Sequence, residues 1–195
     1  MKNEKNPIFF HPSLADLSDP NELLGVRKAV IRIMKAIEAK ERIIVFGDFD
    51  ADGITSTVVL VKALQELGAM VSYRIPERNI HSHGLKNEFI NELKEKGVSL
   101  IITVDCGIND AEEVRHAKKL GIDMIITDHH EPDPARIPTD AVAVINHHLN
   151  ANYSHELSGS ATALKLAMAL LAEVYKDPET LAEKSIHCLK LPPLG

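Results

Sequence analysis

Cysteine and long apolar segments are scarce in this sequence, and acidic residues outnumber basic ones; each of these features bears on the class of protein. Only Cys106 and Cys188 occur among 195 residues, so we expect no disulfide framework and a cytoplasmic location. The formal net charge is −6, whereas a nucleic-acid binder usually carries a basic footprint, so the charge counts mildly against tight DNA binding by this segment alone. No apolar stretch approaches the length of a membrane span, and residues 1–7 lack the apolar segment of a signal peptide. We therefore expect no contact with a membrane.

The remaining sequence alternates between apolar β-branched runs and amphipathic segments. Residues 1–19 are predicted to form an irregular lead-in, and residues 20–195 an α/β domain. The predicted strands are 42–47, 69–75, 99–104, 122–127 and 141–145, and the predicted helices are 20–40, 53–67, 86–96, 110–120, 158–175 and 178–189. Such alternation indicates a doubly wound, mainly parallel sheet flanked by helices.

Acidic clusters follow three of the predicted strands directly. They are Asp48-Phe49-Asp50-Ala51-Asp52-Gly53, Asp105-Cys106-Gly107 and Asp128-His129-His130. In an open α/β sheet, ligands bind at the carboxyl ends of the strands, so we expect the three clusters to converge at one edge. So many carboxylates beside two imidazoles are hard to tolerate without cations.

The first cluster alone allows two other interpretations. A calcium loop of the EF-hand type fails because its twelfth position is Val59 rather than Glu, and because a strand pattern precedes Asp48. A phosphatase of the haloacid-dehalogenase type would use Asp50 as nucleophile and Asp52 as general acid. That chemistry does not require the third cluster, Asp128-His129-His130. A site for two divalent cations that bracket a phosphoryl group accounts for all three clusters.

The three clusters, in this order, resemble the first three motifs of the DHH phosphoesterases. The similar stretches are Gly47 to Gly53, Val104 to Ile108 and Thr127 to His130, together with Pro76 to Leu85 and Leu157 to Leu166. The nearest branch resembles the RecJ-type exonucleases, which degrade single-stranded DNA from the 5′ end with manganese or magnesium. The resemblance implies the DHH fold and a two-metal site for Mn²⁺ or Mg²⁺.

The resemblance also implies roles for individual residues. Five metal ligands are expected: Asp48, Asp50, Asp52, Asp105 and His129, with Asp105 bridging the two ions. His130 would contact the scissile phosphate or orient the attacking water, and Asp128 would fix the tautomer of an imidazole.

Six further residues are expected to bind substrate: Arg78, His83, Asn146, Ser158, Gly159 and Ser160. From the residues alone, Arg78 is equally well a solvated loop cation, and Ser158 equally well a helix cap. His147 and His148 are expected to be surface histidines of a loop.

The sequence departs from the family pattern at several positions. His83 stands in place of Tyr, His147 in place of Pro, and Ala161 in place of a second glycine. The segment 191–195 aligns with the strand that normally precedes one more metal-binding Asp, so we expect a DHH domain truncated at its C-terminal end. The second DHH-associated domain and the OB-type domain are expected to be absent, and activity to be weak or lost.

The predicted function is metal-dependent hydrolysis of phosphodiesters, as a 5′-to-3′ exonuclease on single-stranded DNA. The alternatives are a phosphodiesterase for nanoRNA or cyclic dinucleotides, an inactive module that binds nucleic acid or a replication partner, and the haloacid-dehalogenase-like phosphatase. The expected partners are single-stranded DNA or a short oligonucleotide, together with replication or repair proteins.

Overall fold

A five-stranded parallel sheet forms the centre of the described part of the chain. The computed structural model describes residues 16–77, 84–151 and 153–190. The strands are β1 (Arg42–Gly47), β2 (Met70–Arg74), β3 (Val98–Val104), β4 (Asp123–Thr127) and β5 (Ala143–Ile145), in the spatial order β2-β1-β3-β4-β5. Every neighbouring pair is parallel. The predicted fold class is therefore confirmed.

Six α-helices of the described residues cover both faces of this sheet. They are α1 (Val26–Glu38), α2 (Ala51–Glu66), α3 (Asn87–Glu95), α4 (Ala111–Lys119), α5 (Gly159–Val174) and α6 (Pro178–Leu189). One apolar cluster joins α1, α2 and α5 to one face, and a second joins α3 and α4 to the other face. Helix α6 packs outside, against α2 and α5. Among the described residues, no helix is both long and apolar enough to cross a bilayer.

The two faces of each central strand are buried in turn by the two helical layers. In β1, Ile43 and Val45 belong to the cluster under α1, α2 and α5, while Ile44 and Phe46 belong to the cluster under α3 and α4. Successive side chains of a strand point to opposite faces, so a strand covered on both sides must be apolar throughout. Complete burial of one such side chain contributes roughly 1.5–3 kcal/mol.

The predicted helix over residues 20–40 is interrupted in the structure. A short 3-10 helix spans Pro20–Glu22, capped by Asp19, and α1 begins only at Val26. Gly25 between them has φ of 89°, a left-handed conformation that breaks the α-helical path and favours glycine. A Cβ at this position would collide with the carbonyl of Val144, so the break lets the chain pass close to β5.

The strand order creates the crevice in which the acidic clusters meet. From β1 the chain first crosses to β2 on one side, and β3 then lies on the other side. Ligands of open α/β sheets bind at such a reversal, beyond the carboxyl ends of the strands.

The register then aligns the strand ends in one row. Gly47 pairs with Val104, Val104 pairs with Thr127, and Thr127 pairs with Ile145. The next residue of each strand is therefore Asp48, Asp105, Asp128 or Asn146, side by side. Residues 1–15 and 191–195 lie outside the described residues, so the predicted lead-in and the terminal segment stay predictions.

Candidate metal centre

The segment between β1 and α2 supplies two carboxylates. Asp48 is buried directly after the strand, and its Oδ1 accepts a hydrogen bond of 2.7 Å from the backbone N–H of Phe49. Asp50 is the N-cap of α2 and accepts from the N–H of Gly53 at 2.9 Å. Aspartate is a preferred N-cap because its carboxylate satisfies a free N–H of the first turn. A Cβ at position 53 would lie within 2.8 Å of the Asp48 backbone, so only glycine permits this tight turn.

Asp105 is the most constrained carboxylate of the row. It is 2% exposed, and its φ of 60° is a left-handed conformation that is uncommon for a residue other than glycine. Its Oδ1 has no hydrogen bond within the described residues. Burial raises the pKa of Asp105 to about 7, and the charges of Asp52 and Asp50 add to this effect. Backbone strain and an unpaired buried oxygen are costs typical of a functional residue.

Asp128 holds the two histidines that follow it. Its Oδ1 accepts from the backbone N–H groups of His129 and His130, and lies 2.8 Å from Nδ1 of His130. Its Oδ2 accepts from the N–H of Ile108 at 3.0 Å. Burial alone would raise the pKa of Asp128, but the hydrogen bonds from His130 and Ile108 outweigh burial and lower it. The carboxylate therefore stays ionised.

His130 is held in one orientation by this carboxylate. The hydrogen bond that His130 donates to Asp128 raises the pKa of His130 to about 9, against the opposing effect of burial. With Nδ1 donating to Asp128, Nε2 is the ring atom left for another partner. This is the contact expected of a residue that fixes an imidazole tautomer.

The imidazole of His129 lies beside Asp105, the carboxylate that is predicted to bridge the two ions. Its Nε2 lies 3.1 Å from Oδ1 of Asp105 and 3.7 Å from Oδ2 of Asp52. The atom of Asp105 nevertheless lacks a hydrogen bond within the described residues. Two ligands at right angles, each about 2.1 Å from one Mg²⁺, lie about 3 Å apart. The spacing therefore fits two ligand atoms that share an ion.

The side chains form two adjoining sets of possible ligands. One set is Asp105, His129 and His130, and the other is Asp48, Asp50 and Asp105, with the ligand atoms of each set within 4.8 Å of one another. Asp105 belongs to both sets, as a bridging ligand must. Carboxylates together with imidazole suit manganese better than calcium. The residues present thus fit a pair of divalent cations.

Asp52 has a different environment from the other predicted ligands. Its two oxygens accept hydrogen bonds from the backbone N–H groups of Gly159 at 2.7 Å and Ser160 at 2.8 Å. Burial would raise its pKa, but the hydrogen bonds from Ser160 and Gly159 outweigh burial and lower it. Asp52 therefore occupies the anion-binding N-terminus of α5. Its role as a metal ligand stays a prediction.

Residues 158–160, which are predicted to bind substrate, lie at the start of α5. Ser158 caps α5 by accepting from the N–H of Ala161 at 3.2 Å. The N–H groups of Gly159 and Ser160, which could hold a phosphate, are turned to Asp52 instead. A Cβ at Gly159 would overlap Asp105, so glycine allows α5 to begin directly against the bridging carboxylate.

The other predicted substrate residues differ in what the structure describes. Asn146 is 1% exposed; its amide donates to the carbonyl of His130 at 2.9 Å and accepts from the N–H of His148 at 2.9 Å. Asn146 therefore positions the backbone of the histidine pair. Arg78 and His83 lie outside the described residues, and their contacts with substrate stay predictions.

Two features of the site were missed by the sequence reasoning. His147 was expected at the surface, but it is 9% exposed, and its Nδ1 has no hydrogen bond within the described residues. Only His148 of the pair is exposed as expected. Arg136 was not singled out, yet it lines the cavity of about 470 Å³ beside Asp48, Asp105 and His130. No local motif marks either residue, because both positions depend on how loops fold over the sheet edge.

The match to a family model identifies the class of protein. Residues 42–191, more than half of the chain, match the N-terminal domain of the DHH family. The chain belongs to this family, as the motifs predicted.

Within the family, the chain is similar to the single-stranded-DNA-specific exonuclease RecJ. It is 44% identical to RecJ of Bacillus subtilis over 172 residues, which cover 88% of this chain and 22% of that protein. It is 43% identical to RecJ of Escherichia coli over 152 residues, which cover 76% of this chain and 26% of that protein. The chain thus spans about a quarter of the length of these curated relatives.

Solved structures agree with this relationship. An exonuclease RecJ bound to manganese matches with a TM-score of 0.74 and 34% identity, over 85% of this chain and 42% of that one. RecJ from Thermus thermophilus in complex with Mn²⁺ matches with a TM-score of 0.71 and 32% identity, over 91% of this chain and 25% of that one. The predicted resemblance to the RecJ branch is therefore confirmed, and these matches give no support to a haloacid-dehalogenase-like phosphatase.

Proposed function

We propose that this chain is the phosphodiester-cleaving domain of a RecJ-type exonuclease, which removes nucleotides from the 5′ end of single-stranded DNA with Mn²⁺ or Mg²⁺. The observation that carries the proposal is the buried Oδ1 of Asp105, which accepts no hydrogen bond within the described residues and belongs to a carboxylate that is part of both sets of possible ligands. The manganese-bound RecJ structures with the same fold add support. The expected cytoplasmic location and association with replication or repair proteins belong to this same proposal.

The two ligand sets support a role for each side chain in holding the metals. Asp105 would bridge the two ions, with Asp48 and Asp50 on one side and His129 on the other. Two divalent cations, when bound, would activate a water molecule and offset the charge of the phosphate. Asp52 would enter the ligand set by exchanging a hydrogen bond from α5 for an ion, since its Oδ2 already lies 3.7 Å from Nε2 of His129.

His130 would act on the phosphate rather than on the ions. Its Nδ1 is engaged by Asp128, so its Nε2 is the atom that can meet a substrate oxygen. In the metal-free protein Asp128 raises the pKa of His130 to about 9, so both ring nitrogens of this imidazole are protonated at neutral pH. A protonated imidazole held at this place would bind the charge that develops on the phosphate. Asn146 would keep the ring in place through its bond to the His130 carbonyl.

The direct test is a manganese-dependent assay on 5′-labelled single-stranded DNA, with a dinucleotide as the comparison substrate. Wild type should release labelled mononucleotides, even at a low rate. D105N should lose at least about a hundredfold in rate, because several kcal/mol of metal stabilisation disappear. The matched control is D177N, which exchanges an exposed N-cap of α6 for another good N-cap.

Three results would separate the candidates. Full activity of D105N would contradict the proposal. Hydrolysis of the dinucleotide alone would move the chain to the nanoRNA or cyclic-dinucleotide branch of the family. DNA binding without hydrolysis in wild type would identify an inactive binding module.

A further inference from the structure

Arg136 lines the cavity that contains the predicted metal ligands. The cavity of about 470 Å³ is lined by five aspartates and by two side chains that can carry positive charge, which are His130 and Arg136. Cavities that bind ligands usually measure roughly 300–1,000 Å³, so there is room for more than one phosphate group. Arg136 makes no ion pair within the described residues, although it lowers the pKa of nearby Asp110 against the larger effect of burial.

The loop that carries Arg136 is tied to the sheet edge. The N–H of Arg136 donates to the carbonyl of Asp133 at 2.8 Å, closing a turn. The N–H of Asp133 donates to the side chain of Asn109 at 2.7 Å, and Asn109 in turn donates to the carbonyl of Glu131. Asn109 follows β3 by five residues and lines the same cavity. These hydrogen bonds hold the backbone of the turn, so Arg136 is positioned beside the row of strand-end residues.

The aspartates of the cavity would repel a bound nucleic-acid strand, and the positive charge of Arg136 would reduce this repulsion. One phosphate of a nucleic-acid strand would lie on the metal ions and His130. The next phosphate along the strand would face Asp110, whose Oδ2 accepts a hydrogen bond of 2.9 Å from the N–H of Leu85. A guanidinium beside Asp110 offsets this repulsion and offers a planar fork of donors that matches phosphate oxygens.

We propose that Arg136 binds a phosphate group adjacent to the scissile phosphate of the substrate, and so selects oligonucleotides over single phosphodiesters. This inference rests on the proposed function, because it takes the metal centre as the position of the scissile phosphate. The adjacent group is either an internal phosphate of the strand or a terminal 5′-phosphate; both share the same chemistry.

The test measures binding separately from hydrolysis. Wild type, R136A and R115A are loaded with Mn²⁺ and titrated with tetrathymidylates whose linkages are phosphorothioates, with and without a 5′-phosphate. Arg115 is the matched control because it is an exposed arginine that pairs with Asp140 and lines the adjoining cavity, which Arg136 also lines, but not the cavity of the metal centre. R136A should weaken binding about tenfold or more, as expected for a charge-assisted hydrogen bond, whereas R115A should change it less than about twofold.

The two oligonucleotides separate the two sources of the phosphate. A loss with both identifies an internal phosphate, and a loss only with the 5′-phosphorylated form identifies the terminal one. Equal binding by R136A and wild type would overturn the proposal, as would equal losses in R136A and R115A. A loss of Mn²⁺ binding in R136A would also overturn it, since that indicates a structural role.

Hydrolysis is a separate readout. If none of the three proteins hydrolyses DNA while the tenfold difference in binding persists, the proposed function fails and the contact of Arg136 stands. A wild type that binds neither Mn²⁺ nor oligonucleotide contradicts both proposals.

Discussion

Gly159 lies so close to Asp105 that a single added methyl group would overlap the Asp105 carboxylate. The N–H of the same glycine donates to Asp52 at 2.7 Å. The start of α5 is thus packed against one predicted metal ligand and bonded to a second. Helix α5, from a distant part of the chain, therefore sets the position of carboxylates that follow β1 and β3.

Replacing Gly159 by alanine should disturb the metal centre more than the fold. The added Cβ must push α5 or Asp105 aside, and such overpacking typically costs about 1–3 kcal/mol. We expect the affinity for Mn²⁺, measured by calorimetry, to fall at least about tenfold.

The control for this substitution is G97A. An added Cβ at Gly97 would meet no neighbouring atom, in contrast to Gly159. The φ of Gly97 is 73°, so an alanine there would cost stability only through backbone strain. G97A should lose about 1 kcal/mol of stability and keep its affinity for Mn²⁺. Wild-type affinity in G159A would show that α5 does not set the ligand geometry.

Replacing Asp105 by asparagine should stabilise the metal-free protein at pH 8. The pKa of Asp105 in the folded state, about 7, lies above its ordinary value of 3.8. Stability is therefore lost as pH rises from about 4 through 7, and above pH 7 the whole penalty is present. Asparagine removes this charge and tolerates the left-handed φ of this position.

The stability effect can be read from thermal unfolding with and without Mn²⁺. Without metal, D105N should melt at least about 2–4 °C above wild type, the shift expected for about 1 kcal/mol in a chain of this size. With Mn²⁺, wild type should gain stability and D105N should not. A lower melting temperature for metal-free D105N would contradict the assigned penalty.

The affinity for Mn²⁺ should fall as pH falls below 7. A bridging carboxylate must be ionised, and the pKa of metal-free Asp105 is raised to about 7 by burial and by Asp52 and Asp50. Each unit below pH 7 should weaken binding up to about tenfold, with about one proton released per site near pH 6. Calorimetry in buffers of different ionisation enthalpy measures this release. Equal affinity at pH 6 and pH 8 would count against Asp105 as a ligand, and an affinity that keeps rising to pH 9 would add His130 to the ligand set.

Replacing Asp128 by asparagine should lower the pKa of His130 toward its ordinary 6.5. The hydrogen bond that His130 donates to Asp128 is the largest cause of the raised pKa of about 9. An NMR titration of the imidazole in metal-free protein measures the change, with D177N as the control that leaves His130 unaltered.

The ion pair between Asp128 and His130 also predicts how the stability of the protein depends on pH. A raised histidine pKa contributes stability that is fully present below 6.5 and lost as pH rises through about 9. D128N should therefore destabilise the protein more at pH 6 than at pH 10. An equal loss at both values would indicate that Asp128 acts only through its backbone contacts, such as the bond to Ile108.

The sequence was informative where one segment determines its own structure. The runs that became β1, β3 and β4 are largely apolar because both faces of each strand are buried, and the acidic clusters stand directly at their ends. Ser158 was recognisable as a helix cap, and it caps α5 in the structure. These local rules were enough for the fold class and for the convergence of the three clusters.

The features that were missed depend on contacts between distant segments. The bonds from Gly159 and Ser160 to Asp52 join α5 to α2 across 107 and 108 residues. The break at Gly25 accompanies the close passage of β5, and no pattern in its own segment marks His147 as buried. In each case the local pattern allows another structure, and the tertiary contact decides.

The central claim is that two divalent cations share Asp105, and anomalous scattering from a crystal soaked in Mn²⁺ tests it most directly. The account predicts two manganese peaks about 3.5–4 Å apart, both within bonding distance of the Asp105 carboxylate. One peak should lie toward Asp48 and Asp50, and the other toward His129. A map with no peak at Asp105, or with a single ion bound elsewhere, would contradict the account.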